Sequence, residues 1–335
     1  MEGSAESAVE KYLELSNKHP KTLTKVATPC IDDHLLAAED FETKGILSEQ
    51  ASRIVLKALY LARLARPDIL WAVNTLAREV TQWNIASDKR LHRLISYLHH
   101  TKDHVMTSFV GDYAHECKLM MFCDASFAGD LRDSKSTSGG ILVLVGPNTF
   151  APICWTCKKQ GAVSHSSTES EAISLDTCLR LDGLPAMDFW DIVINVMHPE
   201  FAKPITIDQR KPNILDKLNE SYRIFKSIDN TPTIKEEIRR NAKLVILEDN
   251  EAVIKMCNKG RSPNMRHVQR THRVNLDFLF QIITKDPNIS ILYVNTKEQL
   301  ADIFTKGSFT ASTWNVLLKL IQIGNILPDL KTPKA

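Results

Sequence analysis

The chain has 335 residues, with 42 Lys+Arg against 40 Asp+Glu and 43% hydrophobic residues. That length suits about two domains with a real core, and a net charge of +2 excludes a histone-like binder that is basic over its whole surface. No GxGxxG or GxxxxGK[ST] occurs, which removes support for phosphate-cradling loops, and no apolar run approaches the ~18 residues of a membrane span.

Residues 1–110 read as a small helical region. A short amphipathic stretch at 8–15 is followed by a polar loop. Residues 48–65 then carry Ile54, Ala58, Leu61 and Ala65 on one helical face. Pro67 opens a second helix to about residue 81, with Ile69, Val73, Leu76 and Val80. Ser87-Asp88 is the expected cap of a third, striped by Leu91, Leu94, Ile95 and Leu98. The tryptophans Trp71 and Trp83, and Arg66-Pro67-Asp68, fit helix packing better than base stacking.

The texture changes near Lys118. Residues 119–123, 140–145 and 153–156 are compact apolar runs bounded by turn formers, which predicts three strands of an antiparallel meander. One helix is expected over 166–193. Residues 196–242 hold Pro199, Pro204, Pro212 and Pro232 with few large apolar residues and read as an insertion or flexible linker. A fourth strand at 244–247, helices at 251–258 and 272–284, a fifth strand at 289–294 and a last helix at 297–305 complete the second half. The pattern is α/β with a mixed five-stranded sheet and flanking helices, split as 111–195 and 243–320, with 321–335 as a tail.

Four carboxylates stand at element boundaries. Asp124 ends the first strand, Glu171 lies in the first turns of the following helix, Asp249 ends the fourth strand and Asp302 begins the last helix. Ligands in open α/β sheets bind outside strand ends. Four converging acids cannot all stay ionised without cations, because like charges raise one another's pKa. Two Mg²⁺ ions, with Mn²⁺ as a substitute, satisfy that need. A metal pair about 4 Å apart suits phosphodiester hydrolysis.

The local sequences make a family visible. CDASFAGD (123–130), DSKSTSGG (133–140), ICWTCKKQ (153–160) and SHSSTESEA (164–172) are followed by EDNEAVI (248–254), RTHRVNLDFLF (270–280) and VNTKEQLADIFTKG (294–307). In order and spacing these motifs resemble the ribonuclease H domain of copia-type LTR retrotransposon polyproteins. The resemblance implies a ribonuclease H-like fold and two-metal hydrolysis of the RNA strand of RNA–DNA hybrids, leaving a 3′-hydroxyl and a 5′-phosphate. It puts catalytic and metal-binding roles on Asp124, Glu171, Asp249 and Asp302, with Glu169 as the alternative to Glu171. His272 matches a histidine of the copia pattern and is expected to be structural or substrate-facing. No histidine lies between Asn288 and Asp302, where cellular and retroviral relatives often carry one. VEKYLELSNKH, KVATPCIDD and the stretch 52–80 resemble the segment joining the reverse transcriptase thumb to ribonuclease H. The polymerase palm is not represented, so a missing reverse transcriptase domain is a possible partner. A silent or domesticated remnant, acting as a nucleic-acid-binding or polymerase-interface module, is the competing reading.

Other signals are weaker. Cys30-Ile31-Asp32-Asp33 lacks the apolar hairpin that would present a polymerase metal pair. Cys154 and Cys157 have CxxC spacing but fall in a predicted strand, which fits buried thiols rather than a redox or zinc site. Lys255, Lys259, Arg261, Arg266, Arg270 and Arg273 form an acid-free stretch suited to hybrid phosphates, with Lys158 and Lys159, and Arg132 with Lys135, as secondary contacts. Seven cysteines and an N-terminus without a basic start and apolar core lead to the expectation of an intracellular protein, cytoplasmic or nuclear, with no membrane association. The near-zero net charge is a cancellation: residues 111–195 hold 11 acidic and 6 basic residues, whereas 243–335 hold 8 and 13.

Overall fold

The computed structural model describes residues 3–129, 133–201, 240–262, 265 and 267–325. Most of the 196–242 insertion, the end of the tail, Arg132 and Arg266 lie outside the described residues.

The helical region consists of α1 (Ser4–Ser16), α2 (Ala38–Glu42), α3 (Ala51–Leu64), α4 (Leu70–Glu79) and α5 (Ile85–His100). The predicted apolar stripes are the buried faces: Ile54, Ala58 and Leu61 on α3, Val73 and Leu76 on α4, and Leu91, Leu94, Ile95 and Leu98 on α5. Pro67 sits in a 3₁₀ turn, Pro67–Ile69, that leads into α4. The cap of α5 differs from expectation. Asn84 is the N-cap, its Oδ1 accepting from the Ser87 N–H at 2.9 Å. Asp88 instead accepts from Trp83 Nε1 at 2.7 Å and from the Ile46 N–H, tying the loop ahead of α3 to α5. Arg66 and Asp68 form a buried bidentate pair, 2.9 and 2.7 Å, that Tyr97 and Thr101 complete.

A strand β1 (His104–Met106) follows, then the meander β2 (Lys118–Ser126), β3 (Thr137–Gly146) and β4 (Thr149–Lys159). Helix α6 (Ser167–Cys178) runs through a widened π turn, Leu179–Gly183, into α7 (Leu184–Met197), where one continuous α-helix is expected from sequence. Pro185 has no N–H to give to the preceding turn, which accounts for the widening. The second half holds β5 (Leu244–Glu248), α8 (Glu251–Lys259), α9 (Val268–Thr271), α10 (Leu276–Lys285), β6 (Ile289–Tyr293), α11 (Asp302–Thr305), α12 (Ala311–Leu320) and β7 (Ile323–Asn325).

Three of these differ from the sequence reading. The 272–284 helix begins at Leu276, because Asn275 caps it and Arg273 adopts φ +57°. The 297–305 helix is a 3₁₀ turn, Thr296–Glu298, followed by the short α11. Residues 323–325, placed in a tail, pair antiparallel with β1.

The sheet order is β4-β3-β2-β5-β6, with β2 antiparallel to β3 and β3 to β4, and β5 parallel to both β2 and β6. The protein is therefore α/β with a mixed five-stranded sheet. Strand alternation splits its side chains between two cores. Leu119, Met121, Cys123, Leu142, Leu244 and Ile246 pack with α6, α8 and α10. Phe122, Ile141, Val143, Val245 and Leu247 pack with the helical region, Phe304 and Trp314.

Candidate active site

The site is built at one end of the sheet by register. Leu119 pairs with Leu244 and Phe122 with Leu247 in the parallel β2–β5 ladder. Continuing that offset sets Asp124 level with Asp249, the residue just past β5. Asp124 lies opposite Gly139 within β2–β3, two residues before the strand ends.

Helix α6 brings the third acid. Ser166 caps it, accepting from the Glu169 N–H, and Ser174 donates to the Asp124 carbonyl at 2.7 Å. Glu171 lies three residues before Ser174, on the same face, and reaches the two aspartates. Ligand atoms of Asp124, Glu171 and Asp249 all lie within 4.8 Å of one another.

Close approach on the other face depends on Gly139. A Cβ there would meet Thr305 Cγ2 at 2.4 Å and Phe304 Cβ at 2.9 Å, so only glycine lets α11 lie against β3. Gly140 gives the same room on the α6 side, where a Cβ would meet Cys178 Sγ at 2.4 Å. This is a physical reason for the paired glycines of DSKSTSGG. Gln299 Nε2 donates to the Cys123 carbonyl at 2.8 Å and Thr305 Oγ1 donates to Asp124 Oδ2.

Asp302, at the start of α11, is outside the three-acid group. Its Oδ1 accepts from Lys306 Nζ at 2.6 Å, and Lys306 also lies 4.0 Å from Asp124 Oδ2. Lys306 and Thr305 are the site residues that sequence reasoning missed; the Asp302-to-Lys306 spacing of one helical turn was a visible signal.

Electrostatics follow from burial. Glu171 is pushed up to about 11 by burial and then by Asp124, Glu248 and Asp249. Burial also raises Asp124, against the pull of Lys306 and Thr305, and lifts Asp302 to about 6 with help from Asp124. For Lys306, burial works against the charge, but Asp124 and Asp302 outweigh it and raise the ammonium. Among the described residues, Glu171 Oε2 is buried without a hydrogen-bond partner. An orphaned carboxylate oxygen inside a cluster of acids is an arrangement that fits a divalent cation. Asp124, Glu171, Asp249, Ser126, Phe127 and Lys306 line an open cleft of about 640 Å³.

Glu248, the last residue of β5, is a further acid that sequence reasoning missed. It is fully buried, its carboxyl raised well above the ordinary range by burial, and Oε1 accepts from the Asn250 N–H at 3.1 Å. The alternation Leu244, Ile246, Glu248 was the available signal that it points inward.

Glu169 goes elsewhere. It is buried, accepts from the His165 N–H, and lies 3.1 Å from His267 Nε2 and 3.2 Å from His272 Nε2. His272 is thus part of this second cluster. Lys255, Lys259, Arg261, His165 and His267 line a groove of about 580 Å³ that meets the acid cleft at Ala252. Lys255 is paired with Glu251 at 2.6 Å. Arg270 and Arg273 are exposed beyond that groove. Lys158 and Lys159 lie at the opposite edge, on β4, where Lys159 pairs with Asp133 at 2.8 Å. The basic residues therefore fall on two sides of the sheet.

Cys154 and Cys157 sit on opposite faces of β4, and burial pushes their thiols up to about 12 and about 11, the reverse of an activated pair. Asp32 and Asp33 are engaged structurally, by Ser308 and Arg90. Among the described residues no helix is long and apolar enough to cross a membrane.

No protein-family model matches the chain, and no solved structure matches it significantly. Curated proteins do. An uncharacterised mitochondrial protein of Arabidopsis thaliana is 34% identical over 122 residues, 36% of this chain and 47% of that protein. The retrovirus-related Pol polyprotein from transposon RE2 of the same plant is 34% identical over 152 residues, 44% of this chain and 10% of the polyprotein. The corresponding polyprotein from transposon RE1 is 37% identical over 118 residues, 35% of this chain and 8% of the polyprotein. The chain spans about half the length of the first of these relatives and a tenth or less of the two polyproteins. Taken with the ordered motifs, these matches bear out the resemblance to copia-type retrotransposon Pol polyproteins.

Proposed function

We propose that the chain is a ribonuclease H-like endonuclease acting on the RNA strand of RNA–DNA hybrids. The observation that carries this reading is the meeting of Asp124, Glu171 and Asp249, from three separate elements, at one end of the parallel β2–β5 pair. The strand order, with three antiparallel strands followed by two parallel ones, fits that fold.

The inner acids would hold Mg²⁺, with Asp302 at the margin as the fourth ligand. When bound, the ions supply an activated water and neutralise charge on the leaving oxygen. The chain's own residues do the rest. Thr305 orients the Asp124 carboxylate and Ser174 fixes the backbone behind it. Lys259 and Arg261 hold backbone phosphates in the groove beside the acids, with Lys255, Arg270 and Arg273 extending the positive field. Discrimination comes from A-like hybrid shape and 2′-hydroxyl contacts rather than base edges.

The test is a labelled RNA–DNA hybrid incubated with the protein and Mg²⁺, with Asp124→Asn in parallel. Metal-dependent cleavage of the RNA strand, lost in Asp124→Asn while binding persists, is the expected result. Binding without cleavage by the wild-type chain sinks the enzyme reading. It would favour a polymerase-interface module, for which α3 offers a row of exposed Leu56, Tyr60 and Leu64 at helical spacing.

A further inference from the structure

Of the four candidate acids, three share a ligand-binding distance and the fourth is occupied by a cation of the chain itself. Lys306 reaches Asp302 at 2.6 Å and Asp124 at 4.0 Å, and its side chain keeps 39% of its exposure. It lines both the acid cleft and a neighbouring cavity of about 340 Å³ bounded by Trp71, Thr75, Ser126 and Thr137. The ammonium therefore sits at a junction, with open space on either side.

The backbone beneath it is fixed. Trp71 Nε1 donates to the Thr305 carbonyl at 3.2 Å, Gln299 holds the Cys123 carbonyl, and Gly139 packs under Thr305. Asp302, Ile303, Phe304 and Thr305 are all buried. What can move is the four-carbon stem of Lys306, whose head is a compact point charge rather than a planar fork.

We propose that Lys306 is a built-in counter-ion that competes with a divalent cation for Asp302 and Asp124. The inference rests on the reading of the acids as a metal centre. In the metal-free chain the ammonium offsets part of the repulsion among Asp124, Asp249 and Asp302. When an ion takes those carboxylates, Lys306 swings toward the adjoining cavity, which Ser126 and Thr137 help to line. It is a positioning residue: it sets the cation concentration at which Asp302 becomes available, and it does not itself react.

The experiment is direct ion binding. Mn²⁺ is titrated into the full chain and into Lys306→Gln and Lys306→Arg, with free ion read by its magnetic resonance signal. Each variant is also melted in EDTA and in Mg²⁺. Lys306→Gln is expected to tighten apparent Mn²⁺ affinity by about tenfold, because an ammonium this close to a buried carboxylate holds it strongly. It should melt lower in EDTA and gain more from Mg²⁺. Lys306→Arg, which keeps the charge, should stay near wild type. In an Asp302→Asn background the effect of Lys306→Gln should shrink, since the shared partner is gone. A merely structural lysine would shift the melts without shifting the affinity. Equal Mn²⁺ affinity in all three chains overturns the counter-ion inference and leaves the metal centre standing. No Mn²⁺ binding by the wild-type chain, or binding unchanged by Asp249→Asn, overturns both.

Discussion

Glu171→Gln separates the cost of the acid cluster from its use. The Glu171 carboxyl rises from an ordinary 4.5 to about 11 in the folded chain, burial being the largest cause. An acid whose folded pKa is raised favours folding below its unfolded pKa and loses that advantage as pH climbs. Between about 4.5 and 11 the folded chain retains a proton that the unfolded chain releases, at about 1.4 kcal/mol per pH unit. At pH 7.5 the gap from 4.5 is three units, an upper limit of about 4 kcal/mol against folding. Gln has the shape of the neutral acid without the titration. Leaving its amide beside the orphaned Oε2 position costs about 1 kcal/mol. Glu171→Gln should therefore stabilise the metal-free chain by about 2–3 kcal/mol at pH 7.5, and destabilise it by about 1 kcal/mol below pH 4.5, where only the amide cost remains. Urea midpoints in EDTA at pH 5, 6.5 and 8 measure this. In Mg²⁺ the order should reverse, because the variant loses a ligand. Parallel stability curves across that pH series would refute the account of Glu171 as a neutral, metal-awaiting acid.

Two further outcomes test neighbouring claims. Asp68→Asn removes the partner of the buried Arg66 guanidinium, which should cost about 3–5 kcal/mol in urea unfolding; a loss under about 1 kcal/mol would mean that the pair does not organise the start of α4. Lys259→Ala and Arg261→Ala, each in the non-cleaving Asp124→Asn background, should weaken hybrid binding and flatten its salt dependence by about one unit of slope apiece. An unchanged slope removes the groove from the binding surface.

Much of this arrangement was legible because Asp124 and Asp249 sit where compact apolar runs stop. Asp124 and Asp249 each come just after the apolar run of their strand, Asp124 still within β2 and Asp249 one residue past β5, and a parallel pairing with equal offsets sets them level. Helices α3, α4 and α5 of the helical region declare themselves by stripes that are the buried faces observed. What sequence did not show depends on partners far along the chain. β1 and β7 are three residues each, too short for any periodic signal, and exist only because residues 104–106 and 323–325 meet. Helix α12 carries Trp314, Leu317 and Leu318 at helical spacing, yet its anchor is remote: Trp314 Nε1 donates to the Tyr97 hydroxyl at 3.3 Å. Glu169 and Glu171 are two residues apart on one helix, so they point apart. Only the positions of His267 and His272 reveal that Glu169 has a different set of partners.

The helical region bears on the site more than its separate composition suggests. It does not merely precede the sheet but covers one face of it, in a core shared by Ile54, Leu61, Val73, Phe122, Val143, Leu247 and Phe304. Polar ties also cross that contact, among them Trp71 to the Thr305 carbonyl, Asn74 to the Cys157 carbonyl at 2.9 Å, and Trp155 Nε1 to the Ala62 carbonyl at 3.0 Å. The first of these lands on the residue whose hydroxyl orients Asp124, one position before Lys306. A sheet stripped of these helices would expose Phe304 and Ile303 beneath α11, and burial of apolar area is what holds a four-residue helix in place. Asp302 and Lys306 therefore owe their placement to residues more than two hundred positions earlier. The helical region packed here serves the acid centre as a structural floor, whatever it contacts on its outer face.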